Sequence, residues 1–512
     1  MPQEFARNTF LGFVAGAAVA LGGFICTTIA ARLLGPQGMG VFAYAVWCVT
    51  TVATVTELGI AMVLQRFIPT LRAEDKPEAA EGLVGAGARL SVFAAIVGTV
   101  LLVGWLHGPG ASAMSAPLQV PRAVLIAVIV AWFIVLNMSG TYMAYLKGEQ
   151  RFGEFARLSA LSALTRLVVT LLGAWLFGVV GALCGYFAAA LIGAPRIRRL
   201  LRNKPVVGQE LRRDVVRFAF AGWSVGVISG LLWGRTEIVF LEHYSGVGTV
   251  GLFAVASMLA DMAMQLPVLL VTALLPAFSE KQGLGAHDQI QRLYRMMSGI
   301  LTLVVVPVCI GIAAIAPALV PLVFGSEFAE VVPVATVLLI AAAVTCIAQT
   351  TVRLIYSTGK IGLLLISNGA GMVGTITLGF LVIPHFGLIG AAWSRASVQM
   401  LCVVIELWYV TRRLGYRPPY RALGAITLAA ILQGGVAYAI CVKWGGVGAV
   451  ALAVPAAIVV YLVAIRVFAV FPLVDPLLGD TVVANSPQRL RPVLSWGLKL
   501  VSPATKDPAA PD

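Results

Sequence analysis

Apolar runs long enough to cross a membrane follow one another along almost the whole chain. A membrane-spanning helix needs about 20 consecutive, mostly apolar residues, and fourteen runs reach that length, separated by short polar connections. The pattern predicts an all-α polytopic membrane protein with about 14 transmembrane helices. The runs cover approximately 8–31, 40–64, 85–106, 122–146, 155–177, 178–195, 216–241, 249–275, 293–315, 332–352, 361–383, 387–410, 421–441 and 446–470.

Composition supports the same fold class. Of the 512 residues, 60% are hydrophobic and only 11% are charged, whereas soluble domains are about a quarter charged. Soluble enzymes, nucleic-acid binders and secreted disulfide scaffolds are therefore excluded. The seven cysteines form no CxxC pair, and the GxGxxG at 369–374 lies inside an apolar run, where small residues serve helix packing. We expect a protein that is not an enzyme and has no cofactor or metal.

The net charge of +14 indicates orientation. Basic residues concentrate in the connections on one side, most densely at 196–213. By the positive-inside rule that side faces the cytoplasm, and nucleic acid is not expected as a partner. We predict a multi-pass protein of the bacterial inner membrane whose N-terminus and tail, 471–512, are both cytoplasmic.

An internal repeat organises the runs. Blocks at 35–43, 145–148 and 178–182 recur at 246–254, 356–359 and 387–391, at offsets of 209 to 211 residues. One period holds six runs, so the halves keep the same orientation and form a parallel repeat. The predicted domains are two six-helix lobes, 1–200 and 201–411, two additional helices at 412–470, and the tail.

Four short motifs resemble those of a known family. They are ARLLGP at 31–36, ELGI at 57–60, VFGSEF at 323–328 and GLIGAA at 387–392. In order and spacing they resemble the polysaccharide and oligosaccharide (O-antigen type) flippases of the multidrug, oligosaccharidyl-lipid and polysaccharide exporter superfamily. The similarity covers residues 8 to about 411.

The resemblance implies function as well as fold. It implies two lobes around a central cavity that move a polyprenyl-pyrophosphate-linked oligosaccharide to the outer leaflet by alternating access. Membrane lipids and polysaccharide assembly proteins are the implied partners. The two additional helices are similar to those that form a lipid-tail groove in the lipid II flippase. The segment 11–31, however, carries no charge, which favours an O-antigen, exopolysaccharide or capsule substrate over lipid II.

Charges inside the runs are the candidate functional residues, because each costs about 2.5–3.5 kcal/mol near the bilayer centre on insertion scales. Guanidinium groups bind phosphates through several planar donors, so Arg166, Arg235 and Arg395 are the predicted substrate-binding residues. The alternative is that they pair with carboxylates and only hold helices together. The runs contain Glu57, Arg166, Arg235, Glu237, Asp261, Arg395 and Glu406, besides further arginines that lie mostly near the ends of the runs.

Carboxylates have a second candidate role. Asp261 and Glu57 are the predicted ion-coupling residues, for a proton or a sodium ion. Two other functions stay open: a cation-coupled multidrug exporter of the same superfamily, and a membrane-embedded polymerase or assembly subunit of polysaccharide synthesis. The embedded arginines disfavour the first and the short connections disfavour the second.

Overall fold

A computed structural model of the chain describes residues 2–115, 121–206, 208–271, 274–470 and 474. These residues form sixteen α-helices and no strand, and the predicted tail, 471–512, lies outside them except for residue 474. The helices are α1 Pro2–Thr56, α2 Ile60–Ala73, α3 Pro77–His107, α4 Arg122–Gly148, α5 Phe152–Leu191, α6 Ile197–Leu201, α7 Gln209–Trp233, α8 Glu237–Ser245, α9 Val247–Val271, α10 Leu274–Gly283, α11 His287–Phe324, α12 Val331–Ser357, α13 Ile361–Leu381, α14 Ile383–Arg412, α15 Tyr420–Trp444 and α16 Gly446–Val467.

Within the described residues, twelve helical segments are long and apolar enough to cross a membrane. Three of them contain a backbone break, at Gly35 in α1, at Phe177–Gly178 in α5 and at Gly387 in α14. The breaks in α1 and α5 each separate two of the fourteen predicted runs, whereas the break in α14 lies at the start of a single run. The prediction of an all-α polytopic membrane protein is confirmed, with a helix count that depends on how the kinked helices are divided.

Two predicted runs are interrupted where hydropathy gives no signal. The run 40–64 breaks between α1 and α2, where Leu58 and Gly59 have positive φ. The run 216–241 breaks after α7, and Arg235 takes a left-handed conformation with φ of 63°. Both continuous helices were wrong predictions, because apolar composition continues through a break that backbone conformation alone creates.

Contacts divide the chain into two compact units. The N-terminal unit comprises Leu21–Ala254 and Met372–Ala391, and the C-terminal unit comprises Met1–Ala20, Val255–Gly371 and Ala392–Asp512. The divisions fall inside helices rather than at the connections near 200 and 411. The two six-helix lobes therefore remain a sequence prediction.

In the N-terminal unit, the two halves of α5 pack against each other as a hairpin. A Cβ added to Gly173 would lie 2.2 Å from the carbonyl oxygen of Gly181, and one added to Gly181 would lie 2.0 Å from that of Gly173. The turn between them contains Gly178 at φ of 57° and ψ of −134°, a conformation that favours glycine. The glycines thus set the register of the hairpin.

The basic connection that follows α6, described at residues 202–206 and 208, is fixed to α3. Arg89 donates hydrogen bonds from Nη1 to the Asn203 carbonyl, at 2.8 Å, and from Nη2 to the Leu201 carbonyl, at 3.2 Å. The Leu201 carbonyl belongs to the last turn of α6, where carbonyls lack helical partners, and the Asn203 carbonyl follows in the connection. Gly82 allows the connection to approach, since a Cβ there would lie 2.0 Å from the Val206 carbonyl oxygen.

In the C-terminal unit, the additional helices α15 and α16 dock on α11 around a proline. Pro307 has no N–H, which leaves the carbonyl of Leu303 without its helical donor. The Tyr461 hydroxyl of α16 donates to that carbonyl at 2.7 Å. Gln433 of α15 donates to the carbonyl of Pro307 itself at 2.6 Å. The carbonyls of Leu303 and Pro307 in α11 thus each accept a hydrogen bond from one of the two additional helices.

The internal repeat is visible in the backbone. Positive φ values recur at corresponding places in the two halves of the chain, at offsets of 209 to 211 residues. Each pair marks the same connection between corresponding helices, so the order of elements is duplicated as well as the sequence blocks. The pairs are Gly35 and Gly246, Asp75 and Gly285, Gln150 and Gly359, and Gly178 and Gly387.

Equivalent residues of the repeat also contact each other within the N-terminal unit. A Cβ on Gly40 of α1 would lie 1.8 Å from the Val247 carbonyl oxygen, and one on Gly251 of α9 would lie 2.0 Å from the Pro36 carbonyl oxygen. Pro36 corresponds to Val247, and Gly40 to Gly251, at an offset of 211. The contact of Gly40 with Val247 is thus repeated between their equivalents, Gly251 and Pro36, as two-fold symmetry requires.

Candidate functional site

The N-terminal unit contains an arginine stacked on a tyrosine inside a membrane-spanning helix pair. The Arg166 guanidinium lies over the Tyr186 ring, 5.4 Å from its centroid. Both residues belong to α5, one to each half of the hairpin, so the glycine-set register brings them together. A cation over an aromatic face is stabilised by the ring quadrupole, by up to about 2 kcal/mol when water is excluded.

Two buried aromatic rings hold Tyr186 in place. Phe42 of α1 and Trp132 of α4 contact it edge to face, with ring centroids 5.5 Å and 5.1 Å away. Arg235, at the break between α7 and α8, also interacts electrostatically with the Tyr186 hydroxyl. The structure therefore places one of the three predicted substrate-binding arginines, Arg166, on Tyr186, and a second, Arg235, within electrostatic range of it.

Arg166 is only half-buried, and the described residues give it no carboxylate within ion-pair distance. Its electrostatic neighbours are Tyr186 and the thiol of Cys26. The alternative of a structural ion pair thus has no partner among the described residues for this arginine.

The other predicted residues lie elsewhere. Arg395 is buried within α14 and Asp261 is exposed on α9, both in the C-terminal unit, and each has interacting partners. Glu57 is exposed at the break between α1 and α2 of the N-terminal unit. Their roles in substrate binding and ion coupling remain predictions.

An apolar groove of about 880 Å³ runs along the C-terminal unit. It lies between α11, α12, α14 and α15, with α15 the only one of the two additional helices among its described walls. Its lining includes Val306, Ile310, Ile340, Val404, Leu407 and Ile431. Such a surface suits a hydrocarbon chain better than a sugar, because it offers few hydrogen-bonding groups.

Tyr186 and Trp132 were not found by sequence reasoning, which searched the spans for charges. A signal was nevertheless present in the small residues of α5. Gly173 and Gly181 flank the turn at Gly178, and an antiparallel hairpin in that register places Tyr186 near Arg166. Reading small residues as contact points would have paired the two.

A family model described as "Polysaccharide biosynthesis protein" matches residues 5–282. The succinoglycan biosynthesis transport protein ExoT of Rhizobium meliloti (strain 1021) is 24% identical over 319 residues, which is 61% of this chain and 60% of that protein. The match thus spans less than two thirds of ExoT. The probable low-salt glycan biosynthesis flippase Agl15 of Haloferax volcanii is 23% identical over 448 residues, or 85% of this chain and 90% of that protein.

Solved structures share the fold at low sequence identity. The lipid II flippase MurJ in an inward closed conformation superposes with a TM-score of 0.70 at 13% identity, covering 90% of this chain and 98% of MurJ. An inward-facing MATE family multidrug resistance transporter of the MOP superfamily gives 0.66 at 14% identity, covering 78% of this chain and 94% of that one. These likenesses confirm the fold that the sequence motifs implied.

Proposed function

The chain belongs to the polysaccharide biosynthesis protein family, and from that premise we propose that it is a flippase for a polyprenyl-pyrophosphate-linked oligosaccharide. It moves this lipid across the bacterial inner membrane by alternating access, for the synthesis of a surface polysaccharide. The basic connections face the cytoplasm in this proposal, with both termini on that side. The proposal also includes a coupling ion, either a proton or sodium, and polysaccharide assembly proteins. Both rest on the sequence argument alone.

The observation that carries the proposal is the guanidinium of Arg166 on Tyr186. A pyrophosphate or acidic sugar needs donors that stay charged in a water-poor site, and a hydrogen bond to a charged group contributes about 1.5–3 kcal/mol. Arg235 adds a second positive charge within electrostatic range of the same tyrosine. Two guanidinium groups attract an anionic headgroup and disfavour a cationic drug. Arg395 is retained as a third ligand on the sequence argument alone.

The lipid tail has a separate place in the proposal. A polyprenyl chain is pure hydrocarbon, and the groove along α11, α12, α14 and α15 offers it a continuous apolar wall. The tail then stays in an apolar medium while the headgroup meets the arginines. The two sites thus suit the two parts of one amphipathic substrate: Arg166 suits the charged headgroup and the groove suits the hydrocarbon tail.

The test is deletion of the gene, followed by measurement of surface polysaccharide and of lipid-linked intermediates. Accumulation of polyprenyl-pyrophosphate oligosaccharide on the cytoplasmic side, with loss of the surface polymer, is expected. Intact polysaccharide with new sensitivity to cationic drugs would overturn the proposal in favour of multidrug export.

Complementation of the deletion then tests the site. Arg166→Ala should restore little polymer, because losing one charge-assisted hydrogen bond lowers affinity roughly 10- to 150-fold. Arg166→Lys keeps the charge without the planar fork and should restore an intermediate amount. Arg157→Ala, an exposed arginine on the same helix, is the control for insertion and abundance. Full export by Arg166→Ala at normal abundance would remove Arg166 from the substrate site.

A further inference from the structure

Glu406 is a carboxylate enclosed inside a membrane-spanning helix of the C-terminal unit. It is 3% exposed on α14. The Ser367 hydroxyl of α13 donates to its Oε1 at 3.4 Å. Tyr294 of α11 and Cys402 of α14 interact with it electrostatically. Both of these titratable groups, the Tyr294 phenol and the Cys402 thiol, are neutral in their ordinary protonation states.

No cation is recorded beside Glu406 within the described part of the chain. It forms no ion pair there, and its one hydrogen-bonding partner is the Ser367 hydroxyl. A hydroxyl bound to an ionised carboxylate normally lies within about 2.5–2.7 Å, so the bond at 3.4 Å stabilises an anion poorly. Burial of an unpaired charge is costly, and binding one proton removes that cost.

The two carboxylates that the sequence favoured are in different surroundings. Glu57 and Asp261 are both exposed, so other groups or solvent can stabilise their charge. A metal ion is a poor occupant at Glu406, because hard cations need several oxygen ligands at once. The described residues contain no cluster of three or more metal-binding side chains. A proton needs only the carboxylate itself.

We propose that Glu406 is a proton-binding site within the C-terminal unit and that its loading and release of a proton accompany the transport cycle. The second half of this statement rests on the proposed function, and the first half does not. On binding, the carboxylate becomes a carboxylic acid, whose other oxygen still accepts the hydrogen bond from the Ser367 hydroxyl. No other bond is made or broken.

The proton has a structural consequence for the packing of α13 against α14. With the acid neutral, the long hydrogen bond between Ser367 and Glu406 leaves no buried charge in this contact. With the proton released, the same contact holds an anion that must gain water or a new partner. Protonation thus biases the helix pair between a closed and an opened arrangement, the kind of local charge event that switches use.

Infrared spectroscopy of the full chain in lipid tests the site directly. At neutral pH, the wild-type protein should show the carbonyl stretch of a protonated carboxylic acid. Glu406→Gln should lose it, and the isosteric neutral side chain should preserve packing. Glu280→Gln, an exposed carboxylate on α10 of the same unit, should keep it. Equal acid bands in wild type and Glu406→Gln would overturn the proton site.

Transport in proteoliposomes tests the coupling. With a lipid-linked oligosaccharide as the probe, wild-type transport should respond several-fold to an imposed pH gradient, and Glu406→Gln should not respond. An unchanged response in Glu406→Gln would overturn the coupling. Absence of any oligosaccharide transport by the wild type would overturn the proposed function, while the infrared result would still decide the proton site.

Discussion

Replacing Gly40 or Gly251 by alanine tests the two-fold contact between the halves of the repeat. The new methyl on Gly40 must move from 1.8 Å to at least 3.0 Å from the Val247 carbonyl oxygen, so the helices must separate by about 1.2 Å. Overpacking of this kind costs about 1–3 kcal/mol. The helix propensity of alanine returns about 1 kcal/mol. The free-energy cost of separating the helices should exceed this gain, because the close contacts are with backbone atoms and no flexible side chain can move aside.

The symmetry of the contact makes a sharper prediction for the double substitution. Gly40→Ala and Gly251→Ala force apart the same two helix segments, so the second methyl enters space that the first has opened. The double variant should therefore cost little more than either single one, with an interaction energy of roughly the size of one single effect. Gly248→Ala on α9 is the control, because its Cβ would meet the nearest atom at an ordinary 3.7 Å.

The assay is thermal unfolding in detergent, followed by a thiol-reactive dye. Six native cysteines are buried and free, and their exposure reports unfolding without an added label: Cys26, Cys48, Cys309, Cys346, Cys402 and Cys441. Both single variants should unfold at a lower temperature than wild type, and Gly248→Ala should not. Additive losses in the double variant, or a loss in Gly248→Ala equal to that in Gly40→Ala, would refute the reasoning.

Two further predictions concern the groove and the basic connection. Gly435 lines the groove with open space around it, so Gly435→Leu puts an isobutyl group where the proposed lipid tail lies and should reduce polysaccharide export. Gly424→Leu, equally open on α15 but outside the groove lining, should leave export unchanged. Arg89→Ala removes the hydrogen bonds from α3 to the Leu201 and Asn203 carbonyls. Trypsin should then cleave the connection 202–208 faster than in wild type. Unchanged cleavage would show that the close contact at Gly82 is enough to hold the connection.

Hydropathy and the repeat predicted much of the fold. Spans of about 20 apolar residues are long enough to give a strong signal, and the kinks at Gly35 and Gly178 fall at predicted run boundaries. The breaks at Leu58–Gly59 and Arg235 were invisible, because a change in φ and ψ leaves composition unchanged. The pairing of Gly40 with Gly251 was also missed, although both belonged to the recognised repeat blocks.

The candidate site was predictable only in part. A search for charges in spans found Arg166 and Arg235, because their desolvation cost makes them stand out. It did not find Tyr186, since a tyrosine in an apolar run carries no comparable signal. Glu406 was noted as an embedded charge without a role, because only its burial and its single hydroxyl partner distinguish it from Glu57. The sequence shows which residue types are present, whereas the burial and the partners of each side chain depend on packing.

Symmetry and asymmetry in this chain fall at different places, and the proposed function gives a reason for the difference. The repeat is symmetric where helices pack, as at Gly40 and Gly251. It is asymmetric at Arg235, whose equivalents near residues 24–26 lie in uninterrupted helix. A left-handed arginine costs about 1–3 kcal/mol, and Arg235 lies within electrostatic range of Tyr186. In the proposed function the substrate is amphipathic with one charged end, and two identical half-sites do not match such a molecule. On that proposal, the strained backbone at Arg235 is where the duplicated scaffold departs from its own symmetry to bind the charged end.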